Sequence, residues 1–122
     1  MCSSDLAATL TLYAASAAGV PALDTVDTEI RDVDAVERRA RSSRRAGFVG
    51  KLAIHPAQVA ALNAAFTPSA QEIAHAAKVR DAFAAAPTAG ALRIDGKLVD
   101  RPHLLQAERM LAAAARAAVT KG

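Results

Sequence analysis

The sequence has few of the residue types that build a large core. Of its 122 residues only 3% are aromatic and none is tryptophan, whereas 52% are hydrophobic and many of these are alanine. Because an alanine side chain buries little area, this composition does not predict a large self-sufficient core. We therefore expect one small domain or a portion of a larger one.

The sequence also has little cysteine and no basic residue near its start. The single cysteine, Cys2, excludes an internal disulfide and favours a reducing compartment, and no basic neighbour activates its thiol as a nucleophile. No lysine or arginine precedes Arg31, so a signal peptide is not expected. The apolar stretch 6–20 is too short to span a membrane. The sequence thus predicts a cytoplasmic protein without a membrane partner.

The first half of the chain alternates predicted helices with short apolar strands. In order, we predict a helix over 6–18, a buried strand over 20–26, a helix from the N-cap Asp32 to about Ala46, a strand over 48–54, and a helix from Pro56 with Val59, Leu62 and Phe66 on its inner face. Strand–helix–strand–helix order with short connections predicts parallel β/α units.

The second half carries two strong local signals. Ser69 and Glu72 have the spacing of a capping box, which predicts the start of a helix. The pair Asp95-Gly96 lies between two short apolar runs, which predicts a β-hairpin over 92–99. Pro102 then begins a final helix.

Two parallel strands do not make a stable sheet by themselves, because both faces and both edges need cover. A TIM barrel needs roughly 250 residues. We therefore predict an α/β fold that is the C-terminal portion of a TIM (β/α)8 barrel with a hairpin–helix extension. The predicted domains are an atypical or truncated start over 1–13, the last β/α units over 14–69, and the helical extension with its hairpin over 70–122.

Two motifs carry a family resemblance: GKLAIHPAQ at 50–58 and DGKLVDRP at 95–102. Together with ALDTV and IRD upstream, their order and spacing resemble the C-terminal third of the HpcH/HpaI aldolase/citrate lyase superfamily. The chain is most similar to the branch of citrate lyase beta-subunit-like CoA-ester lyases. This resemblance covers about residues 14–118.

The resemblance implies Mg²⁺-dependent cleavage or formation of a carbon–carbon bond in a malyl-CoA, citramalyl-CoA or citryl-type thioester. It implies an acyl-CoA and a small keto-acid as partners, and a homo-oligomer, either a trimer or a hexamer. The family's magnesium ligands, a Glu and an Asp, are expected upstream of this segment, so the chain itself has no predicted metal ligand. SSDLAATL around Asp5 superficially resembles the metal loop but lacks its glycines, so MCSSDL is interpreted as a foreign or truncated start.

Asp100 is the predicted catalytic residue. The resemblance implies that this aspartate handles the proton of the reaction and projects into the site of a neighbouring subunit. From the residues alone a second interpretation stays open, in which Asp100 simply caps the helix that begins at Pro102.

Three residues are predicted to contact substrate: Asp24, His55 and Gln58. Asp24 and His55 end the two predicted strands, at the face of a barrel where site residues gather, and Gln58 lies in the turn that follows. A purely structural, hydrogen-bonded role remains open for each of them. Asp95 is interpreted as a turn residue.

The remaining charged groups favour surface roles. His75 and His103 lack partners at metal-ligand spacing, so packing or surface roles are expected. Five arginines on the second helix allow an anionic ligand, although a solvated outer helix is the favoured interpretation: Arg38, Arg39, Arg41, Arg44 and Arg45. Few aromatics argue against nucleic acid as a partner. The alternative function is a non-catalytic helical fragment that binds a protein or nucleic-acid partner.

Overall fold

A computed structural model describes residues 3–120 of the chain. The prediction for the Cys2 thiol lies outside these residues. The fold is helix-rich α/β and divides into two compact units, one up to Phe66 and one from Thr67 onward. The domain boundaries predicted from the sequence stay a prediction.

The elements follow one another in this order: α1 Ser3–Ala18, β1 Leu23–Asp24, α2 Val33–Ala46, β2 Gly50–Lys51, α3 Pro56–Phe66, α4 Ala70–Ala85, β3 Ala91–Ile94, β4 Lys97–Asp100 and α5 Arg101–Thr120. Among the described residues, no helix combines the length and the apolar character that crossing a membrane requires.

Capping residues fix the ends of α2, as predicted. The Asp32 side chain accepts a hydrogen bond from the Ala35 N–H at 2.9 Å, which satisfies a free amide of the first turn. Gly47 ends the helix with φ of 124°, a conformation that side chains with a Cβ rarely adopt.

The core of the first unit lies between α2 and α3. Val36 and Ala40 pack against Leu62 and Ala65, and Phe66 covers them. The prediction that Val59 points inward is wrong, since Val59 is 47% exposed. The buried positions of α3 are 58, 61, 62 and 65, a stripe of one helix face, and position 59 lies off that stripe.

The two strands of the first unit are shorter than predicted. β1 and β2 form a parallel pair in which Leu23 is opposite Gly50 and Asp24 is opposite Lys51. The prediction of a buried first strand is wrong, since Leu23 is 57% exposed. In the described residues each of these two strands has a single strand neighbour, so both edges of the pair are open. Membership of a complete barrel stays a prediction.

The second unit follows the sequence signals closely. Ser69 and Glu72 form the complete capping box at the start of α4. β3 and β4 pair antiparallel, and the hairpin turn has positive φ at Asp95 (51°) and Gly96 (76°), as a type I′ turn requires. α5 begins at Arg101, one residue before the predicted start. The core of this unit comprises Ala76, Val79, Phe83, Ile94, Val99 and Ala107.

Candidate functional site

Asp24 ends β1 in a charged cluster that the parallel register builds. Because Asp24 lies opposite Lys51, the two side chains meet, with Nζ 2.9 Å from Oδ2. The Ser43 hydroxyl also donates to Oδ2, and the Thr25 N–H donates to Oδ1 at 2.8 Å. The Lys51 side chain is only 7% exposed and that of Asp24 17%. This is a largely buried ion pair at the carboxyl end of both strands.

The surroundings of Asp24 keep its carboxylate ionised. Burial opposes ionisation, but the hydrogen bonds from Ser43, Lys51 and the Thr25 amide outweigh it, and the pKa of Asp24 is lowered below its usual value. An aspartate held in this way does not supply a proton near neutral pH. Its geometry suits an electrostatic or orienting role in a site.

Replacing Asp24 with Asn is expected to destabilise the first unit by about 3 kcal/mol, because Lys51 then stays buried without its counter-charge. The double variant Asp24→Asn/Lys51→Met is expected to recover much of this loss. Denaturant unfolding of both variants measures the effect, with the exposed Asp34→Asn as control. A single Asp24→Asn variant as stable as Asp34→Asn would contradict the prediction.

The same pair predicts a pH dependence. The pKa of Asp24 is lower in the folded chain than its ordinary value of 3.8. The stabilisation by the ion pair is therefore complete at pH values above 3.8, and it is lost as the pH falls through the pKa that Asp24 has in the folded chain. We expect the unfolding free energy to fall in acid below about pH 4, and to fall less steeply in Asp24→Asn. Equal acid slopes in the two proteins would contradict this.

The loop after β1 is held by its own carboxylates. Arg39 binds Asp27 through two hydrogen bonds, Nε to Oδ2 at 2.6 Å and Nη2 to Oδ1 at 2.9 Å, and this guanidinium lowers the pKa of Asp27. Arg41 is likewise paired with Glu37 at 2.6 Å. At least two of the five clustered arginines thus have carboxylate partners, which favours the solvated outer helix over an anion site.

Gln58 anchors this loop through hydrogen bonds of its side chain. Its fully buried side chain donates from Nε2 to the Asp27 carbonyl at 2.8 Å and to the Glu29 carbonyl at 2.7 Å, and its Oε1 accepts the Ile54 N–H at 3.0 Å. These contacts are those of the structural, hydrogen-bonded role considered for Gln58, and its predicted contact with substrate stays a prediction. Gln58 fixes the loop between β1 and α2 against the turn before α3.

Gln58→Met is expected to lower the unfolding free energy by about 2 kcal/mol or more, since methionine has a similar shape but leaves two carbonyls and one N–H without a partner. Hydrogen exchange at the Ile54 amide is expected to accelerate. The exposed Gln71→Met on α4 is the matched control. Unchanged protection at Ile54 would show that the loop does not depend on this side chain.

His55 follows β2 and has the structural, hydrogen-bonded role that was considered for it. Its Nδ1 accepts the Ala57 N–H at 3.1 Å, and its carbonyl accepts the Gln58 N–H at 3.0 Å, so it stabilises the first turn of α3. The residue is exposed. With Nδ1 occupied as an acceptor, Nε2 carries the proton of the neutral ring. The predicted substrate contact of His55 stays a prediction.

Asp100 is the last residue of β4 and immediately precedes α5. Its Oδ1 accepts the His103 N–H at 3.3 Å and lies 2.5 Å from His103 Nδ1. The Asp100 N–H in turn donates to His103 Nδ1 at 3.3 Å. This reciprocal arrangement is that of a capping box, so the capping interpretation describes real contacts. Nevertheless the Asp100 side chain remains 48% exposed, which leaves carboxylate surface for a ligand.

His103 lowers the pKa of Asp100 through the hydrogen bond from its ring. Sequence reasoning missed this partner, although the spacing of three residues from an N-cap aspartate was visible. It also missed Lys51, which only the strand register brings to Asp24. Asp95, interpreted as a turn residue, bonds Lys78 at 2.5 Å.

Asp24, Ser43, Lys51, His55 and Gln58 belong to the first unit, and Asp100 to the second. Asp5 lies in the first turn of α1. Over residues 3–120, no group of three or more His, Cys, Asp or Glu side chains converges in a way that would hold a metal ion. The chain therefore offers charged and hydrogen-bonding groups for a site without a metal centre of its own in the part described.

No protein-family model matches the chain. Individual proteins do. The citrate lyase subunit beta of Leuconostoc mesenteroides subsp. cremoris is 36% identical over 102 residues, which are 82% of this chain and 34% of that protein. The (3S)-malyl-CoA thioesterase of Cereibacter sphaeroides strain KD131 is 38% identical over 107 residues, 86% of this chain and 38% of that protein.

A solved structure is similar as well. The crystal structure of CitE from Mycobacterium tuberculosis in complex with magnesium, acetoacetate and coenzyme A superimposes with a TM-score of 0.77 at 37% identity. The match covers 88% of this chain and 40% of the CitE chain. The chain thus spans between a third and two fifths of the length of these relatives.

The fold and these similarities define the class as that of enzymes acting on CoA esters, which includes lyases and thioesterases. Within it, the chain belongs to the citrate lyase beta-subunit-like family of the CoA-ester lyase superfamily. The resemblance carried by the motifs at 50–58 and 95–102 is confirmed.

Proposed function

We propose that the protein carrying this chain cleaves or forms a carbon–carbon bond in a malyl-CoA, citramalyl-CoA or citryl-type thioester, with Mg²⁺ as cofactor. The observation that carries the proposal is the 36% to 38% identity to CoA-ester enzymes over more than four fifths of the chain. The CitE complex with magnesium, acetoacetate and coenzyme A supports the cofactor and the substrate class. In this proposal the chain supplies the C-terminal part of the enzyme and the last units of its barrel.

Asp100 is the proposed proton-handling residue. When the carbon–carbon bond breaks, its electron pair passes to the carbon beside the thioester, and that carbon must gain a proton; in the reverse direction the same proton must leave. The hairpin and α5 fix Asp100 between them, and about half of its side chain is exposed. A carboxylate in this position is suited to meet a substrate presented by a neighbouring subunit.

In this proposal the magnesium ligands lie in another part of the protein, as the family resemblance implies. Over 3–120, no group of three or more His, Cys, Asp or Glu side chains converges in a way that would hold a metal ion. Asp24 is committed to Lys51 and Ser43, which suits it to shape the site wall. His55 is exposed and follows β2 along the chain, and it is the proposed substrate contact of the first unit.

A thioesterase is the second candidate, because one relative is named as a malyl-CoA thioesterase. The two reactions differ in the bond that breaks. Lyase chemistry releases an acyl-CoA and a keto-acid, and thioester hydrolysis releases free CoA and a dicarboxylic acid. Product identity therefore separates the candidates.

The test is an assay of the full-length protein on malyl-CoA and citramalyl-CoA, with Mg²⁺ or with EDTA. The lyase proposal expects acetyl-CoA and a keto-acid that appear only with Mg²⁺. Free CoA alone would establish the thioesterase, and no turnover of any CoA ester would favour the non-catalytic interaction fragment. A trimeric or hexameric assembly and a cytoplasmic location complete the proposal, and sedimentation of the active protein checks the first of these.

A further inference from the structure

The contact between Asp100 and His103 is closer than a helix cap needs. The carboxylate Oδ1 and the ring Nδ1 lie 2.5 Å apart. An ionised carboxylate has only acceptor sites, so Nδ1 donates to Oδ1 when the ring carries a proton on that nitrogen, and it accepts the Asp100 N–H when it does not. The geometry therefore allows a proton to pass between the ring and the carboxylate.

We propose that His103 is a positioning residue and proton partner of Asp100: its ring orients the carboxylate through Oδ1 and returns to it the proton that Asp100 gives to substrate. This inference rests on the proposed function and deepens it. His103 is 55% exposed along its side chain, so the ring exchanges protons with water while it holds Asp100.

A proton donor needs such a partner. A carboxyl group whose pKa is lowered, as that of Asp100 is, holds almost no proton at neutral pH, whereas imidazole groups in general titrate near 6.5. Efficient acid–base catalysis requires a group that titrates near the working pH. The contact with His103 gives Asp100 a neighbouring group that can supply a proton, which an isolated aspartate lacks.

The proton balance of the step is simple. The imidazolium first gives its Nδ1 proton to the Asp100 carboxylate and becomes the neutral ring with a proton on Nε2. As the carbon–carbon bond breaks, the carbon beside the thioester takes this proton from Asp100, which is left as the carboxylate. Water then returns a proton to the ring. In the synthetic direction each transfer is reversed, and no other reactant is needed.

The groups around the pair are few. Across a groove beside His103, α4 presents Glu72 and His75, and the Glu72 carboxylate accepts the Ser69 N–H at 2.7 Å. Arg101 is directed elsewhere, since its Nε donates to the Ala89 carbonyl and its guanidinium lies over the Phe83 ring at 5.3 Å.

The strand beside β4 adds no charge at this point. β3 places Ala91 opposite Asp100. His75 is the other imidazole that lines this groove, and a variant at that position serves as the matched control.

The rival explanation is that His103 only completes the capping box. His103→Gln separates the two roles, because glutamine is a favoured residue at this capping position and accepts the Asp100 N–H, but does not titrate. For the full-length enzyme we expect His103→Gln to lower kcat at least about tenfold, with KM little changed. This loss is smaller than the 10²–10⁴-fold loss expected when the catalytic acid is removed. The acid limb of the kcat–pH profile is expected to move in this variant and to stay unchanged in His75→Gln.

A capping role alone predicts the opposite result. His103→Gln would then keep the wild-type kcat and pH profile, and only His103→Ala would weaken α5. That outcome would overturn the proposal. An equal change of the profile in His75→Gln would overturn it too, because the titrating ring would then be the wrong one.

A readout that does not require turnover tests the pair itself. Carbon NMR of the labelled Asp100 carboxyl group in the full-length protein is expected to show its titration midpoint rising in His103→Gln, since the ring is the main cause that lowers the pKa of Asp100. An unmoved midpoint would overturn the proposal whatever the kinetics show. Inactivity on every CoA ester would instead overturn the proposed function, and the carboxyl titration would still decide whether the pair exists.

Discussion

Asp100→Asn in the full-length enzyme is expected to lower kcat by about 10²–10⁴-fold while KM and folding change little. The hairpin β3–β4 and the first turn of α5 fix this side chain, and asparagine keeps its shape. Only the capacity to exchange a proton is lost. Steady-state kinetics on a malyl-CoA or citramalyl-CoA substrate, with thermal unfolding alongside, measure the effect.

The capping interpretation of Asp100 makes the opposite prediction, because asparagine caps helices as well as aspartate does. If capping were its whole role, Asp100→Asn would be nearly neutral in both kcat and stability. Mixed oligomers add a second criterion. Partial recovery of activity when Asp100→Asn subunits are mixed with subunits disabled at the metal-binding Glu would support donation of Asp100 across a subunit interface.

The 122-residue chain by itself is expected to have no lyase activity and to associate in solution. It matches only 34% to 40% of the length of its relatives, and its described residues bring together no metal-binding cluster. The first unit leaves Leu23, Val49, Leu52 and Ile54 exposed around an open pair of strands. Uncovered strand edges and apolar side chains favour association.

Sedimentation, calorimetry and a cleavage assay on the purified chain test this expectation. A monomer that unfolds cooperatively would contradict the predicted association. Mg²⁺-dependent cleavage of malyl-CoA by the chain alone would contradict the predicted inactivity and would require a complete site within these residues.

The elements that the sequence predicted best are those set by local chemistry. The capping box at Ser69 and Glu72, the cap at Asp32 and the turn at Asp95-Gly96 each depend on residues within a few positions of one another. Local hydrogen bonds and allowed backbone angles decide such features, so the pattern alone suffices.

Features that depend on distant neighbours were predicted less well. The extent and burial of the strands depend on what lies against them, and the first strand was wrongly expected to be buried. Val59 was assigned to the core because it is apolar, whereas the face that α3 buries includes the polar Gln58. The pairing of Asp24 with Lys51 requires the strand register, which the sequence did not show.

For the candidate site, the sequence did not predict the contacts of the named residues. Asp100 is proposed from its motif, but the resemblance did not include its partner His103, whose contact the structure shows. Nothing local in the sequence reveals that the Gln58 amide reaches two carbonyls about thirty residues earlier in the chain. The functional roles of Asp100 and Gln58 stay predictions.

The central claim is that Asp100 transfers a proton to and from the carbon beside a CoA thioester. Its most direct test is the incorporation of solvent deuterium into the methyl group of acetyl-CoA, followed by mass spectrometry with the full-length enzyme, Mg²⁺ and a keto-acid analogue. The account predicts incorporation by the wild-type enzyme and a loss of at least about a hundredfold in rate with Asp100→Asn. Deuterium incorporation by Asp100→Asn at the wild-type rate would contradict it.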